Sequence, residues 1–183
     1  MNIKDQIDIA EDFLTNFKVS FGEMIVLGGA PRDWLMDKMA SDIDVYIFGS
    51  YTQSAVIDLL EKSNIEYIWI EANSGKDANL DSFKEYEYNP NIRWVCKFFY
   101  KGQEFNLIFC RQNVSEKQML DTFAFDICKA VYKVGGLLYG TREFIHAKAN
   151  KSLKLVNELY MNGGKYAEKI YAKFPDWDKG EVC

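Results

Sequence analysis

Ile3, Ile7, Ala10, Leu14 and Phe17 recur every three or four positions and predict an amphipathic N-terminal helix with one core-facing stripe. Gly22 closes it. Residues 24–27 are apolar throughout, the pattern of a short buried strand. Pro31 suits the first turn of a helix, where its missing N–H costs nothing; that helix is predicted to hold Trp34, Leu35, Met36 and Met39. Residues 42–48 then alternate. Ile43, Val45 and Ile47 point one way and Asp42, Asp44 and Tyr46 the other, so a strand here carries both aspartates on one face. Gly49-Ser50 ends it. Residues 52–63 read as a helix with Val56, Leu59 and Leu60 inward, and 66–70 as a strand. Residues 72–91 read as a polar excursion with one helical turn.

Further on, residues 92–100 and 103–110 are strand-like, and Lys101-Gly102 between them signals a hairpin. Ser115 is placed to cap a helix over 115–120. Residues 123–132 fit a strand or a helix. Val134-Gly135-Gly136 turns the chain toward Leu137-Leu138-Tyr139. From Thr141 the pattern is helical to Phe174, broken at Asn162-Gly163-Gly164, and Pro175 with an acidic tail ends the fold. The expectation is an α/β (α+β) domain over 1–140, with a mixed, mainly antiparallel sheet and packed helices, and a short helical C-terminal segment over 141–183.

Composition narrows the class. The 183 residues are 48% hydrophobic, 27% charged and 15% aromatic, an ordinary globular balance with a core rich in Phe and Tyr. No apolar run approaches the roughly 20 residues that span a bilayer, and no secretory pattern opens the chain. Four cysteines without a Cys-x-x-Cys pair argue against a zinc site or disulfide framework and for free thiols in a reducing, cytoplasmic setting. A single histidine, His146, gives a His-based triad little to work with. The net charge of -5 does not advertise nucleic-acid binding, yet residues 142–173 hold 7 Lys+Arg against 3 Asp+Glu. Within them Lys165, Lys169 and Lys173, spaced by four, make a basic helix stripe: a candidate nucleic-acid contact or a solvated face.

The chemistry concentrates in one stretch. Gly28-Gly29 follows a strand, Arg32-Asp33 opens a helix, and Asp42 and Asp44 lie on the next strand. Glycines let backbone N–H groups approach phosphate closely, and the predicted helix turns its positive end to the same place. Arg32 can take a phosphate oxygen bidentately or pair with a carboxylate such as Asp33. Two carboxylates side by side suit Mg²⁺, which wants hard oxygen ligands and keeps several waters. Neither half is specific alone. A second Asp-x-Asp occurs at Asp176-Trp177-Asp178, and further Gly-Gly pairs at 135–136 and 163–164. The combination at fixed spacing is the signal.

That stretch, from Leu27-Gly28-Gly29-Ala30-Pro31-Arg32-Asp33-Trp34-Leu35-Met36 to Asp42-Ile43-Asp44-Val45, resembles the N-terminal signature of the CCA-adding enzyme and poly(A) polymerase branch of the DNA polymerase beta-like nucleotidyltransferases. Pro31 replaces the usual valine and Asp37 the last glycine. The resemblance covers about 20 residues, and compact phage-encoded proteins share the general pattern. It implies a nucleotidyltransferase-like fold and transfer of a nucleoside monophosphate from a nucleoside triphosphate to an acceptor hydroxyl, with pyrophosphate released. Asp42 and Asp44 would bind Mg²⁺ (or Mn²⁺), and Gly28, Gly29, Arg32 and Asp33 would seat the nucleotide. The family's third carboxylate falls at Asn106, which cannot take a proton. Glu104, two residues away on the same strand face, or Asp126 substitutes, or the base function is lost. The acceptor implied is an RNA end, tRNA included, although the chain is short for the family's tRNA-gripping regions. The alternatives are a non-catalytic nucleotide- or protein-binding module, and nucleotidylation of a protein or small molecule.

Overall fold

The structure, a computed structural model, describes residues 1–21, 23–49, 51–71, 89–157 and 165–180. The expectations placed on Gly22, Ser50, residues 72–88, Asn162-Gly163-Gly164 and Cys183 lie outside these residues, as does the side chain of Lys165. In chain order the elements are α1 (Ile3–Phe21), β1 (Glu23–Leu27), α2 (Gly29–Leu35), β2 (Asp42–Phe48), α3 (Gln53–Lys62), β3 (Tyr67–Glu71), β4 (Ile92–Tyr100) and β5 (Gln103–Cys110). There follow α4 (Glu116–Leu120), a 3-10 turn (Asp126–Cys128), β6 (Ala130–Lys133), β7 (Leu137–Gly140), α5 (Arg142–Asn150), β8 (Ser152–Leu153), α6 (Lys165–Lys173) and β9 (Asp178–Lys179).

Among the described residues one seven-stranded sheet runs β3-β4-β5-β2-β1-β6-β7. All its neighbours are antiparallel except β2 and β5, which run parallel. Strand alternation sorts the side chains. Ile43, Val45, Ile47, Phe105, Leu107 and Phe109 enter the core that α1 and α3 cover with Phe13, Leu14, Phe17, Val56 and Leu60. On the opposite face Tyr46, Ile108 and Cys110 pack under Met119 and Leu120 of α4. Local signals hold where the chemistry is local. Lys101 and Gly102 both take positive φ, 49° and 78°, the geometry of a two-residue hairpin that follows strand twist. Ser115 and Gln118 form a reciprocal capping box on α4.

Three sequence expectations change. The helix at Pro31 begins earlier, at Gly29, and ends at Leu35; Asp37 takes φ 55°, which a helix cannot continue, so Met39 lies outside it and is 48% exposed. The segment 123–132 is neither one strand nor one helix. The buried Asp126 carboxylate accepts from Ile127 N and Lys154 N, which draws the chain into a 3-10 turn before β6.

The C-terminal region is not continuous helix up to the glycine break. Lys151 adopts φ 47° and stops α5; Leu153 is buried, and β8 pairs with β9. The segment carrying Asp176 and Asp178 thus folds back instead of trailing, with the Trp177 ring tilted at 43° against Phe174, centroids 4.7 Å apart. Phe125, Ile127, Phe144, Leu153, Ile170 and Phe174 form a third core, which holds α5 and α6 to the residues around the 3-10 turn.

Candidate active site

β2 and β5 set the geometry. Their parallel register puts Asp42 beside Glu104 and Asp44 beside Asn106. Asn106 is buried and its amide donates to both aspartates, at 3.1 Å to Asp42 Oδ2 and 2.9 Å to Asp44 Oδ1. An ionised carboxylate only accepts, so the amide must present its NH₂ to the pair. Ser41 Oγ donates to Asp42 Oδ1 at 2.7 Å. The two carboxylates are therefore drawn to one point by a shared donor. Glu104 shares their face of the sheet but is paired with Lys97 of β4 and does not line the cleft.

The approach to β2 is fixed from α1. Gln6 is 1% exposed and uses both ends of its amide. Its Nε2 donates to Ala40 O at 2.8 Å and Gln103 Oε1 at 2.7 Å; its Oε1 accepts from Ala40 N at 2.9 Å and Trp34 Nε1 at 3.2 Å. Gln103 Nε2 in turn donates to Ser41 O at 3.1 Å. This network ties α1, α2, β5 and the loop before Asp42 into one unit. A sign of it stands in the sequence: Gln6 is the polar residue inside the Ile3, Ile7, Ala10 stripe.

The glycine pair divides its labour. Gly28 sits at φ 84°, ψ -116°, and its N–H donates to Ala130 O at 3.0 Å, so it turns the chain out of the sheet. Gly29, the next residue, lines a cleft together with Arg32, Asp33, Ser41, Asp42 and Asp44. Arg32 and Asp33 are both buried and bonded at 2.7 Å. Burial disfavours the guanidinium charge, but the Cys128 sulfur, 3.4 Å from Nη1, and the Asp33 carboxylate outweigh it and raise the Arg32 pKa. The other Asp33 oxygen holds Lys173 Nζ at 2.7 Å.

α6 forms the far wall of the cleft through Tyr166, Lys169, Ile170 and Lys173. The lysine stripe predicted for this helix thus turns two of its members, Lys169 and Lys173, toward the aspartates. Proximity across 130 residues of chain leaves no trace in spacing; Tyr166, whose hydroxyl lies 3.4 Å from Cys128 Sγ, stands on the same wall. Asp126 does not line the cleft. It anchors the 3-10 turn to Lys154; burial raises its pKa, and the two backbone donors only partly oppose this. Among the described residues no group of three or more His, Cys, Asp or Glu gathers as a metal site. The metal-binding candidates are the pair Asp42 and Asp44, with Asn106 able to turn its own oxygen to the same point.

Strand order, one parallel pair and carboxylates on its open face define a nucleotidyltransferase-like fold. CCA-adding and other tRNA-processing enzymes are among the solved structures that share it. The chain matches a CCA-adding enzyme in complex with ATP at a TM-score of 0.67 and 16% identity, over 97% of this chain and 41% of that one. It matches an apo form of a CCA-adding enzyme at 0.65 and 17%, over 97% and 40%. The Thermotoga maritima CCA-adding enzyme complexed with tRNA gives 0.59 and 17%, over 93% and 40%. The chain therefore spans about two fifths of the length of these neighbours. No protein-family model and no curated protein matches it.

Proposed function

We propose that this protein is a metal-dependent nucleotidyltransferase that moves a nucleoside monophosphate from a nucleoside triphosphate to an acceptor hydroxyl. The observation that carries the reading is one cleft that brings Asp42 and Asp44 from β2 against Gly29 and Arg32 from α2. The donor set, two carboxylates and an amide, offers oxygen ligands that suit Mg²⁺ or Mn²⁺. Held by Asp42 and Asp44, such an ion supplies neutralisation of charge on the phosphoryl oxygens. Gly29 leaves the backbone open to the triphosphate, and Arg32 grips it. The acceptor oxygen bonds to the α-phosphorus, the bond from that phosphorus to the β-phosphate oxygen breaks, and pyrophosphate leaves. Asp33 is engaged by Arg32 and Lys173, and Asn106 takes no proton, so the hydroxyl proton passes to Asp42, Asp44 or water.

The acceptor we infer is an RNA 3′ end. The support is the fold shared with enzymes captured with ATP and with tRNA. Pyrophosphate release with Mg²⁺, each nucleotide and a short RNA tests the reading; equal release by wild type and Asp44→Asn would discard it. One observation favours a second reading. Asn106 stands where a third carboxylate is expected and ties the other two together. That suits a module that binds nucleotide without turning it over. Calorimetric binding of Mg²⁺ and nucleotide, with no release on any acceptor, would establish that alternative.

A further inference from the structure

The cleft is electrically two-sided. Asp42 and Asp44 stand on the β2 wall; Arg32, Lys169 and Lys173 stand on the α2 and α6 wall. Behind the cations, Asp33 takes Arg32 Nε on one oxygen and Lys173 Nζ on the other, each at 2.7 Å. One buried carboxylate thus fixes two cations and leaves that trio positive. Lys169, one turn before Lys173, adds to the same helix face. A metal-bound polyphosphate has the complementary polarity, with its cation toward the aspartates and its spare oxygens toward the lysines.

We propose that α6 is the cationic wall of the triphosphate site, with Lys169 and Lys173 in contact with phosphate oxygens and Asp33 as the positioning residue that aims Lys173. The assignment rests on the nucleotide reading above. It takes these lysines out of the RNA-binding stripe, because both line the cleft of the metal-binding pair.

Inorganic tripolyphosphate with Mg²⁺ is the probe, since it has no base. Calorimetry on the full chain is expected to show about tenfold weaker binding for Lys173→Met and about a hundredfold for Lys169→Met with Lys173→Met. Lys173→Arg keeps the charge and is expected to stay within about threefold of wild type. A merely structural role for Lys173, as the partner of Asp33, would lower the melting temperature of Lys173→Met and leave the tripolyphosphate affinity of the folded protein near wild type. Wild-type affinity in both Met variants overturns the assignment and leaves the nucleotide reading standing. Loss of binding to a short single-stranded RNA, with tripolyphosphate binding intact, makes the stripe an RNA surface and overturns it too. Wild-type protein that binds neither tripolyphosphate nor any of the four nucleoside triphosphates overturns both.

Discussion

The two faces of β2 and β5 follow the same alternation and end in different chemistry. The face under α1 is apolar along most of its length, with Ile43, Val45 and Ile47 beside Phe105, Leu107 and Phe109, and Gln103 at its edge bonds to Gln6 of α1. The other face changes character along its length: Asp42, Asp44, Glu104 and Asn106 at one end, Tyr46, Ile108 and Cys110 at the other. The apolar end is covered by α4, the polar end by a cleft whose far wall is α6. A strand pair can thus be core on one side and divide the other between packing and chemistry, the division falling after a single turn of the pleat.

The sharpest way to break this comparison is to strike each face once. Asp44→Asn removes a charge from the polar end but keeps shape, and Asn106 retains a hydrogen-bond acceptor there. Its expected result is a loss of at least about 10³-fold in pyrophosphate release, equivalent to about 4 kcal/mol, with a nearly unchanged melting temperature. Leu107→Ala on the opposite face is expected to cost about 3 kcal/mol of stability. Activity per folded molecule should survive. Urea melts with parallel activity assays check both; coincident losses in the two variants would show that the faces are not separable.

Next in size is the network that joins the faces. Replacing Gln6 by Leu keeps the bulk and strands Ala40 N, Ala40 O, Trp34 Nε1 and Gln103 Oε1 without their partner. Buried groups left so cost about 1–3 kcal/mol each, and water reaching the loop recovers part of it, so about 3 kcal/mol in total is expected. Because the loop carries Ser41 into Asp42, activity should fall as well, unlike Leu107→Ala. Denaturant midpoints and pyrophosphate release together read this.

How much of this the sequence carried depends on the range of the interaction. The β2 alternation, the Lys101-Gly102 hairpin and the Ser115 cap are set within a few residues, and the structure places each where the pattern put it. The C-terminal expectation failed at Lys151, because what ends α5 is a distant partner: β9 pairs with β8, and Leu153 is buried in a core built largely from residues 124–130 and α6. The cleft divides the same way. Asp42 and Asp44 share a face by strand periodicity alone, whereas Lys173 meets Asp33 only through that same C-terminal core.

Asn106→Asp sharpens the polar end. The change removes the donor shared by Asp42 and Asp44 and puts a third charge between them. Without divalent metal the variant is expected to lose about 2 kcal/mol at neutral pH. Mg²⁺ should recover most of that, since a third carboxylate strengthens the site it destabilises. Melting temperatures with and without Mg²⁺ decide; a loss that Mg²⁺ leaves untouched would put the metal elsewhere.

The smallest effect lies at the edge of the apolar face, far from the cleft. Asp12 of α1 accepts from Lys101 Nζ at 2.7 Å and Tyr100 Oη at 2.6 Å, at the β4–β5 hairpin. The Lys101 contact, with Tyr100 behind it, holds the Asp12 carboxyl below its ordinary value of 3.8. A carboxylate with a lowered folded pKa stabilises above its unfolded pKa and loses that contribution as pH falls through the folded value. The pair is partly exposed, so solvent screens it, and Asp12→Asn is expected to cost less than about 1 kcal/mol at neutral pH. The difference between variant and wild type should shrink below pH of about 4 and vanish in stronger acid, where Asp12 is protonated in both states. Raising salt to about 1 M should shrink it too. A difference that persists in acid would mean that the side chain packs α1 on the hairpin by shape, with no part for its charge.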